Sequence, residues 1–370
     1  MVRHRRAVLQ VPETCHWNRY VSLAGQHLGA RGVEVLRPGL CLDEPDPPGP
    51  PADARVEPRP DVVHVHWPEM LAARYGVDRA LAILRDLVAR GAHVVQTVHD
   101  LRPHEPGADL TAYLREVDAL TAGVHFFSAE HERQARLHRP ELPARRALLP
   151  HPAFPASGRP ARRAPGGEVV LGCLGRIRPY KRIAEFAAAF ARTAPAGYRL
   201  VVAGEPHTVE LDRELRRLAA SCPAITYRPG FLDDESFTDL VHGVDWVALP
   251  YRHVYSSGVL VAAVQAGRPV LCPRPTDALS FGPNVVEVEP WDDVTAIGHW
   301  LTVAHRAPHP PKRPPTWNAA AARLISFYDE VIRAGGRPRE ALQQTGTALS
   351  TEVRYGPPGG SPLRKELAGE

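Results

Sequence analysis

Short apolar runs alternate with amphipathic segments along the first half of the chain. Segments such as Tyr20–Gly29 and Arg79–Arg90 repeat their apolar positions with helical spacing. The apolar runs between them have the length of buried strands and lie at Ala7–Val11, Val33–Leu36, Val62–His66, His93–Val98 and Val124–Ser128. This alternation is typical of βαβ units on a parallel sheet, so residues 1–154 are predicted to form one Rossmann-like domain.

A second alternating series follows a segment rich in Pro, Gly and Arg, residues 155–167, which is predicted to be a linker. Residues 168–315 are predicted to form a second Rossmann-like domain, and residues 316–333 a final helix, Trp317–Arg333. The polar, Gly- and Pro-rich residues 334–370 are predicted to be disordered. The strands and helices of the second series lie at Val169–Gly172, Ile183–Thr193, Arg199–Ala203, Val209–Ala220, Ile225–Arg228, Trp246–Leu249 and Val270–Cys272.

Composition narrows the class of protein. The net charge of +4 is carried by 42 arginines and 3 lysines, and such an arginine bias is weak evidence for a nucleic-acid partner. Five scattered cysteines, none in a C-x-x-C pair, argue against a disulfide framework and a zinc ribbon. No apolar run is long enough to span a membrane, and the chain reads as cytoplasmic. The basic residues 3–6 leave a peripheral contact with anionic lipid open.

Four segments of the second half occur in a recognisable order. They are LGCLGRIRPYKRIAEFAAAF (171–190), RLVVAGEP (199–206), ITYRPGFLDDESFTDLVHGVDWVALPY (225–251) and SSGVLVAAVQAGRPVLC (256–272). This series resembles the GT-B glycosyltransferases of the large group around family 4. The resemblance implies an α/β protein of the GT-B fold, with two Rossmann-like domains facing across a cleft and a C-terminal helix that crosses back to the N-terminal domain.

The first half resembles the same superfamily less strongly, and there it is similar to bacterial exopolysaccharide and glycolipid sugar transferases. The segments that carry this similarity are NRYVSLAGQHLGARGVEV (18–35), VVHVHWPE (62–69), VVQTVHDLRPHE (94–105), FFSAEHER (126–133) and LLPHPAF (148–154). The implied activity is transfer of a hexose from a nucleotide diphosphate sugar to a hydroxyl of a saccharide, a lipid-linked saccharide or a small molecule.

Donor diphosphate binding is predicted for two cations. A nucleotide diphosphate leaves with growing negative charge, which Arg, Lys and helix N-terminal amides can stabilise without a metal. Arg176 and Lys181 lie five residues apart on a strand-to-helix loop, so both can face the cleft. For an isolated R-x(4)-K pattern, two solvated surface cations would be the better interpretation, as we assume for Arg178 and Arg182. Inside the four-segment match, the binding role is favoured.

The start of the next helix is predicted to complete the anion site. Ser256, Ser257, Gly258 and Val259 precede or open an apolar helix, whose amides would face the diphosphate; helix capping by serine is the structural alternative. The nucleotide is predicted to contact Gly204, Tyr251 and Arg252, which follow strand ends. For Tyr251 an ordinary loop aromatic is an equally good interpretation.

The chain departs from the family where retaining members carry two glutamates separated by seven residues. Aligned on Gly267–Val270, those positions are Val254 and Ala262. Retention of configuration is therefore doubtful, and an inverting reaction is slightly favoured. Inversion needs a general base to deprotonate the acceptor. Asp100 is the first candidate, and Glu105 and His99 lie in the same segment; capping of a turn and a solvated carboxylate are the alternatives.

Acceptor binding is predicted for the segment VHVHWPE. Its alternation puts His64 and His66 on one side of a strand, with Trp67, Pro68 and Glu69 in the loop beyond. His66, Trp67 and Glu69 could line the acceptor pocket, with Trp67 stacking on a sugar. A hydrogen-bonded core histidine and a buried tryptophan are the alternatives. His151 is predicted to shape the hinge between the domains.

No metal site and no cofactor is predicted, and the co-substrate is expected to be a GDP- or UDP-sugar. G-x-G-x-x-G and Walker A patterns are absent from the sequence. Two alternatives stay open. A nucleotide-sugar epimerase of the same fold would convert the donor alone, and an inactive nucleotide-sugar-binding protein would bind without turnover. Donor base, donor sugar, acceptor and oligomeric state are not readable from the sequence.

Overall fold

The structure, a computed structural model, describes most of the chain as far as residue 335. The described residues are 6–12, 19–36, 59–99, 110–155, 167–193, 196–252, 254, 257–273, 285–288 and 313–335. Most of the predicted linker and nearly all of the predicted tail lie outside these ranges. The two sheets of the structure belong to one compact unit, Met1–Arg337.

The first half of the chain forms a six-stranded sheet in which all neighbouring strands are parallel. Its strands are β1 Ala7–Val11, β2 Glu34–Leu36, β3 Val62–Val65, β4 His93–Thr97, β5 Thr121–Phe126 and β6 Arg146–Leu148. The order across the sheet is β2-β1-β3-β4-β5-β6. Val62, Val63 and Val65 are fully buried, as expected for a central strand covered on both faces. The helices of this half are α1 Tyr20–Gly29, α2 Pro68–Tyr75, α3 Val77–Ala89, α4 Thr111–Leu120 and α5 Ala129–His138.

The second half forms another six-stranded parallel sheet, in the order β12-β11-β10-β7-β8-β9. The helices between its strands bury apolar stripes, and Phe186 and Phe190, one helical turn apart, lie in the core. The strands are β7 Val169–Leu174, β8 Tyr198–Gly204, β9 Ile225–Pro229, β10 Trp246–Ala248, β11 Val270–Pro273 and β12 Val285–Val288. The helices are α6 Ile183–Thr193, α7 Val209–Ser221, α8 Asp234–Gly243 and α9 Gly258–Gln265.

The final helix, α10 Trp317–Arg333, packs on the N-terminal half, as predicted. Its Leu324, Phe327 and Tyr328 share an apolar cluster with Val8 and Val95 of the first sheet. A Cβ on Gly123 of β5 would lie 2.7 Å from a Val331 methyl carbon and 2.9 Å from Phe327. The helix therefore lies directly on the first sheet, and a glycine makes that close approach possible.

One local prediction is wrong. Pro68 and Glu69 were expected in a loop, but they form the first turn of α2. Proline is well suited to the first helical position, because its fixed φ is already helical and its missing amide would have no partner there. Glu69 in the first turn also complements the helix dipole. Among the described helices, none combines the length and the apolar character needed to cross a membrane.

The two halves touch close to the predicted linker. The Gln265 side chain at the end of α9 pairs with the backbone of Phe154, accepting from its N–H at 3.0 Å and donating to its carbonyl at 2.7 Å. The Phe154 ring contacts His151 of the first half and faces Gly258 of the second. Farther away, Arg19 at the start of α1 forms an ion pair with Asp234 at the start of α8.

Candidate active site

Three neighbouring strands of the second sheet bring charged and aromatic side chains to one edge. Arg176 and Lys181 follow β7, Glu205 follows β8, and Tyr251 follows β10. Since β10, β7 and β8 are adjacent and parallel, their carboxyl ends meet at the same edge. In open α/β sheets, ligands bind at this edge. The structure therefore gathers several of the predicted donor-site residues in one region.

The ends of β7 and β8 approach each other unusually closely. Gly204 has a φ of +147°, and a Cβ built on it would lie 1.9 Å from the carbonyl oxygen of Gly175. Just beyond these glycines, Arg176 forms an ion pair with Glu205 at 3.3 Å. Both side chains are partly exposed, so the pair itself adds little stability, but it holds the guanidinium at the sheet edge. Gly204, predicted to contact the nucleotide, thus has a clear packing role.

Lys181 lies in a short 3-10 turn, Pro179–Lys181, which ends at Arg182 with a φ of +53°. Only 9% of Lys181 is exposed, which is low for a lysine. Its ammonium nitrogen lies 5.0 Å from the centroid of the Tyr251 ring. The attraction between the aromatic face and the ammonium thus offsets part of the free energy that burial of this cation costs.

Tyr251 and Arg252 differ in environment. Tyr251 is 4% exposed and belongs to the apolar cluster around α9, whereas Arg252 is exposed to solvent. The backbone N–H of Arg252 donates to the carbonyl of Tyr180 at 3.1 Å, which ties this loop to the 3-10 turn. Nucleotide contact by either side chain stays a prediction.

The N-terminus of α9 has an ordinary serine cap. The Ser257 hydroxyl accepts from the Leu260 N–H at 3.4 Å. Gly258 is the first residue of the helix, and the position that a Cβ would occupy on it faces the Phe154 ring. The Val259 side chain approaches Gly175 at the end of β7. The start of α9 therefore lies beside the β7 loop that carries Arg176. Ser256 lies outside the described residues.

The two positions that hold glutamate in retaining family members are apolar and packed. Val254 is fully buried in a cluster with Leu260 and Val261 of α9. Ala262 packs with Leu174 and Ala203 at the ends of β7 and β8. A carboxylate at position 254 would be buried among aliphatic side chains, so the missing glutamate is part of a consistent packing arrangement.

In the first half, a chain of hydrogen bonds links four buried polar side chains. Tyr328 of α10 contacts His64 Nδ1 at 2.7 Å, and His64 Nε2 contacts Thr97 at 2.7 Å. Thr97 contacts His125 Nδ1 at 2.9 Å, and His125 Nε2 contacts the Leu149 carbonyl at 2.9 Å. The chain crosses β3, β4 and β5 and ties all three to the final helix. We call it the histidine relay.

The relay has one consistent assignment of protons. A carbonyl can only accept, so His125 Nε2 carries the proton, and neutral His125 then accepts from the Thr97 hydroxyl at Nδ1. Thr97 accepts from the His64 Nε2–H, and His64 Nδ1 accepts from the Tyr328 hydroxyl. Burial agrees with neutral rings: it lowers the pKa of His64 well below its ordinary value and that of His125 to about 4.

His66 and His99 form a second buried pair, at the carboxyl ends of β3 and β4. His66 Nδ1 lies 3.1 Å from His99 Nε2, and the His66 Nε2 atom is buried with no hydrogen-bond partner among the described residues. Burial and neighbouring histidines lower the pKa of both rings well below the ordinary value. Both are therefore neutral near pH 7 and can act only as neutral donors or acceptors.

Trp67 does not present an open face to a sugar. It is 5% exposed, packs on Val21, and stacks on His99 with ring centroids 4.1 Å apart. Glu69 is partly exposed at the start of α2 and raises the pKa of Tyr113, although burial contributes more to that shift. Of the predicted acceptor residues, His66 and Trp67 thus lie beside His99, whereas Glu69 begins the adjoining helix.

Asp100 and Glu105, the first two candidates for the general base, lie outside the described residues. His99, the third, is the last described residue before that segment and is 5% exposed. His151 is buried between Tyr20, Phe127 and Phe154, next to the contact between the halves. Within the described ranges, no group of three His, Cys, Asp or Glu side chains is arranged to hold a metal ion.

The hydrogen-bond partners of these histidines were not predicted from the sequence. Thr97, His125 and Tyr328 were not singled out, and neither was Glu205, the partner of Arg176. A signal existed for Thr97 and His125, because both are polar residues within segments predicted to be buried strands. Polar side chains in a buried strand usually have a hydrogen-bond partner. No such signal exists for Tyr328, because its hydrogen-bond partner His64 is 264 residues away in the sequence.

Residues 168–295 match the family described as glycosyl transferases group 1. A curated relative from Xanthomonas campestris pv. campestris, GDP-mannose:glycolipid 4-beta-D-mannosyltransferase, is 28% identical over 228 residues, which cover 58% of this chain. The match spans 62% of that relative's own length.

Solved structures of the same fold cover nearly the whole chain. The sucrose-phosphate synthase of Thermosynechococcus elongatus has a TM-score of 0.66 at 16% identity and covers 90% of this chain and 100% of its own. Anabaena HepE in complex with UDP and glucose has a TM-score of 0.56 at 16% identity, covering 92% and 100%. These likenesses confirm the GT-B fold. In sequence, residues 168–295 are similar to the group 1 glycosyltransferases, and a stretch of 228 residues is similar to the glycolipid mannosyltransferase.

Proposed function

We propose that the protein transfers a hexose from a nucleotide diphosphate sugar to a hydroxyl of a saccharide, a lipid-linked saccharide or a small molecule. The observation that carries this proposal is the enclosed Lys181 ammonium, which lies with Arg176 on the loop after β7. Both cations fall within residues 168–295, the part of the chain that matches group 1 glycosyltransferases.

The proposed chemistry needs the diphosphate charge to be stabilised as the bond to the sugar breaks. Arg176 offers a planar fork of donors, whereas Lys181 offers a compact charge that is already held in place. The amides at the start of α9, beside the same loop, would add partial positive charge. These groups could stabilise the leaving diphosphate without a metal ion, which is why we propose metal-independent transfer.

We propose an inverting reaction. Position 254 is a buried valine, and position 262 is an alanine packed against the ends of β7 and β8, so neither can serve as the carboxylate of a retaining mechanism. The curated relative makes a 4-beta-D-mannosyl linkage according to its name. A β linkage made from an α-linked nucleotide sugar requires inversion. The base would be Asp100 or Glu105, with neutral His99 as the third candidate.

For the donor and acceptor, we propose GDP-mannose and a glycolipid as the first pair to test, because the curated relative's name contains both. UDP-sugars come second, since HepE binds UDP in the same fold. A thermal-shift comparison of GDP, UDP, dTDP and ADP identifies the base, since a ligand of the folded state raises the apparent melting temperature. No shift with any of them would contradict the nucleotide site. A lipid-linked acceptor would bring the protein to a membrane surface, which vesicle co-sedimentation tests.

Arg176→Ala and Lys181→Ala are each expected to reduce kcat/KM by a factor equivalent to about 2–4 kcal/mol, because each removes a charge that stabilises the leaving diphosphate. Initial rates with the donor found by thermal shift measure the effect. Arg178→Ala is the matched control, since this arginine lies between them in the sequence, and its activity should stay within about twofold of wild type. Near-normal activity in both test variants would contradict the assignment.

A further inference from the structure

Tyr251 occupies a position between two elements of the proposed donor site. It follows β10 and belongs to the apolar cluster of Val254, Leu260 and Val264. Its ring contacts the Tyr180 ring edge-on, with centroids 6.1 Å apart. With 4% exposure, the ring is fixed on several sides and offers little surface to a ligand. A nucleotide contact therefore does not explain why an aromatic side chain is enclosed here.

The face of this ring meets the Lys181 ammonium. The distance of 5.0 Å from the nitrogen to the ring centroid lies within the range of a cation–π interaction. Such an interaction is electrostatic, because the π face of the ring is negative, and it strengthens when water is excluded. Lys181 is mostly buried, so the interaction is little weakened by water. The ring thereby restrains a side chain that is otherwise long and flexible.

The hydroxyl end of Tyr251 faces the other element. Burial raises the pKa of the Tyr251 hydroxyl well above its ordinary value, while the nearby Ser257 hydroxyl opposes the shift. The two hydroxyls do not meet the geometry of a full hydrogen bond. Ser257 caps α9, so the tyrosine extends from the Lys181 ammonium to the start of that helix.

We infer that Tyr251 is a positioning residue for the donor diphosphate: its ring holds the Lys181 ammonium at a fixed place beside the N-terminus of α9. This inference rests on the proposed function of Lys181. It assigns Tyr251 an action through the lysine and not through the nucleotide. The ring is the active part, whereas the hydroxyl contributes little because it makes no full hydrogen bond with the described residues.

Three lysines in the whole chain make a direct test possible. In protein labelled with ¹³C at lysine, three sets of ε-methylene signals are expected, for Lys181, Lys312 and Lys365. A proton above an aromatic face is shielded by the ring current, so one set should lie upfield of the other two and vanish in Lys181→Arg. The upfield shift should persist in Tyr251→Phe and be lost in Tyr251→Leu. Three sets at ordinary positions in the wild type would overturn the inference.

A double-mutant cycle tests the consequence for the donor. The affinity for GDP or UDP, whichever binds, is measured by titration calorimetry. Tyr251→Phe should stay within about twofold of wild type, and Tyr251→Leu should weaken binding by about tenfold. In the Lys181→Ala background, Tyr251→Leu should have no further effect. A tenfold loss in that background too would overturn the inference, because the tyrosine would then act independently of the lysine.

The outcomes separate this inference from the proposed function. If Lys181→Ala binds the nucleotide as well as wild type, the diphosphate role of Lys181 fails, whatever the lysine spectrum shows. If Lys181→Ala weakens binding but Tyr251→Leu does not, the diphosphate role stands and the positioning role fails. Should Tyr251→Leu not fold, Tyr251→Met replaces it, because methionine fills a similar space without a π face.

Discussion

Lowering the pH from about 7.5 to about 5.5 is expected to reduce the free energy of unfolding by about 5–7 kcal/mol, because buried neutral histidines must bind protons when the chain unfolds. The pKa values of His125 and His151 are lowered to about 4. Those of His64, His66 and His99 lie well below the ordinary value. Burial is the largest cause in each case, and neighbouring histidines add to it for four of the five.

The direction follows from which state binds the proton. A histidine with a lowered pKa in the folded state contributes stability above its unfolded pKa of about 6.5, and this is lost as the pH falls toward the folded value. Well below pH 6.5, each such group costs about 1.4 kcal/mol per pH unit. Carboxylates titrate mostly below about pH 5, so the histidines dominate the chosen window. The loss is comparable with the whole stability of many domains, about 5–15 kcal/mol.

Urea unfolding at several pH values, followed by tryptophan fluorescence, measures this dependence; Trp67 stacks on His99, and Trp317 contacts His151. His151→Gln should remove about one fifth of the pH dependence, since it deletes one of five groups. Ser326→Ala on the exposed face of α10 is the control, because it removes no group that titrates in this pH window and should leave the slope unchanged. A change of less than about 1.5 kcal/mol over the window would mean that the rings accept protons in the folded protein.

Elements with a strong period were predictable from the sequence. The bounds of Ala7–Val11, Tyr20–Gly29, Ile183–Thr193 and Trp317–Arg333 agree with the structure, because each buries an uninterrupted apolar stripe. The helix Pro68–Tyr75 was missed. Its mean hydropathy is near neutral, and its proline was interpreted as part of a loop. For such a segment the apolar pattern does not distinguish a helix from a loop. Its proline does not distinguish them either, because proline fits a loop and a first helical turn equally well.

The site was predictable only in part, since its roles depend on contacts between distant segments. Alternation along β3 correctly placed His64 and His66 together, and their rings lie 4.3 Å apart. No sequence pattern indicates that Tyr328 of the final helix donates to His64. Similarly, Tyr251 follows a strand end, where a ligand contact is expected, but nothing in the sequence indicates that its ring also faces the Lys181 ammonium. The sequence can locate a loop at a strand end, but the packing of distant segments determines which groups the side chains of that loop contact.

The same distinction explains the apolar residues at positions 254 and 262. The resemblance to family 4 identified these positions because glutamates were expected there. The structure adds that Val254 packs on α9 and Ala262 on the ends of β7 and β8. Restoring glutamate at position 254 would bury a carboxylate among aliphatic side chains. The departure from the family pattern is therefore part of the packing of the second half of the chain, which favours a mechanism that does not use these positions.

Gly204→Ala is expected to lower the free energy of unfolding by about 3–5 kcal/mol and to weaken nucleotide binding. The new Cβ would lie 1.9 Å from the Gly175 carbonyl oxygen, a backbone atom that cannot rotate away. The φ of +147° adds strain, because side chains rarely adopt it. Relief requires the ends of β7 and β8 to separate, which would move Arg176 away from Glu205. Urea unfolding and calorimetric titration with GDP or UDP measure the two effects.

Gly230→Ala is the matched control for this substitution. Gly230 follows the adjacent strand β9 and has a similar φ of +130°, but a Cβ there would meet no atom of the described residues within 4 Å. It therefore shares the backbone strain without the steric overlap, and its cost should be about 1–2 kcal/mol with nucleotide binding retained. Equal losses in the two variants would show that backbone strain alone is responsible. A larger loss in Gly204→Ala, accompanied by weaker binding, would show that the donor site depends on the close approach of these two strand ends.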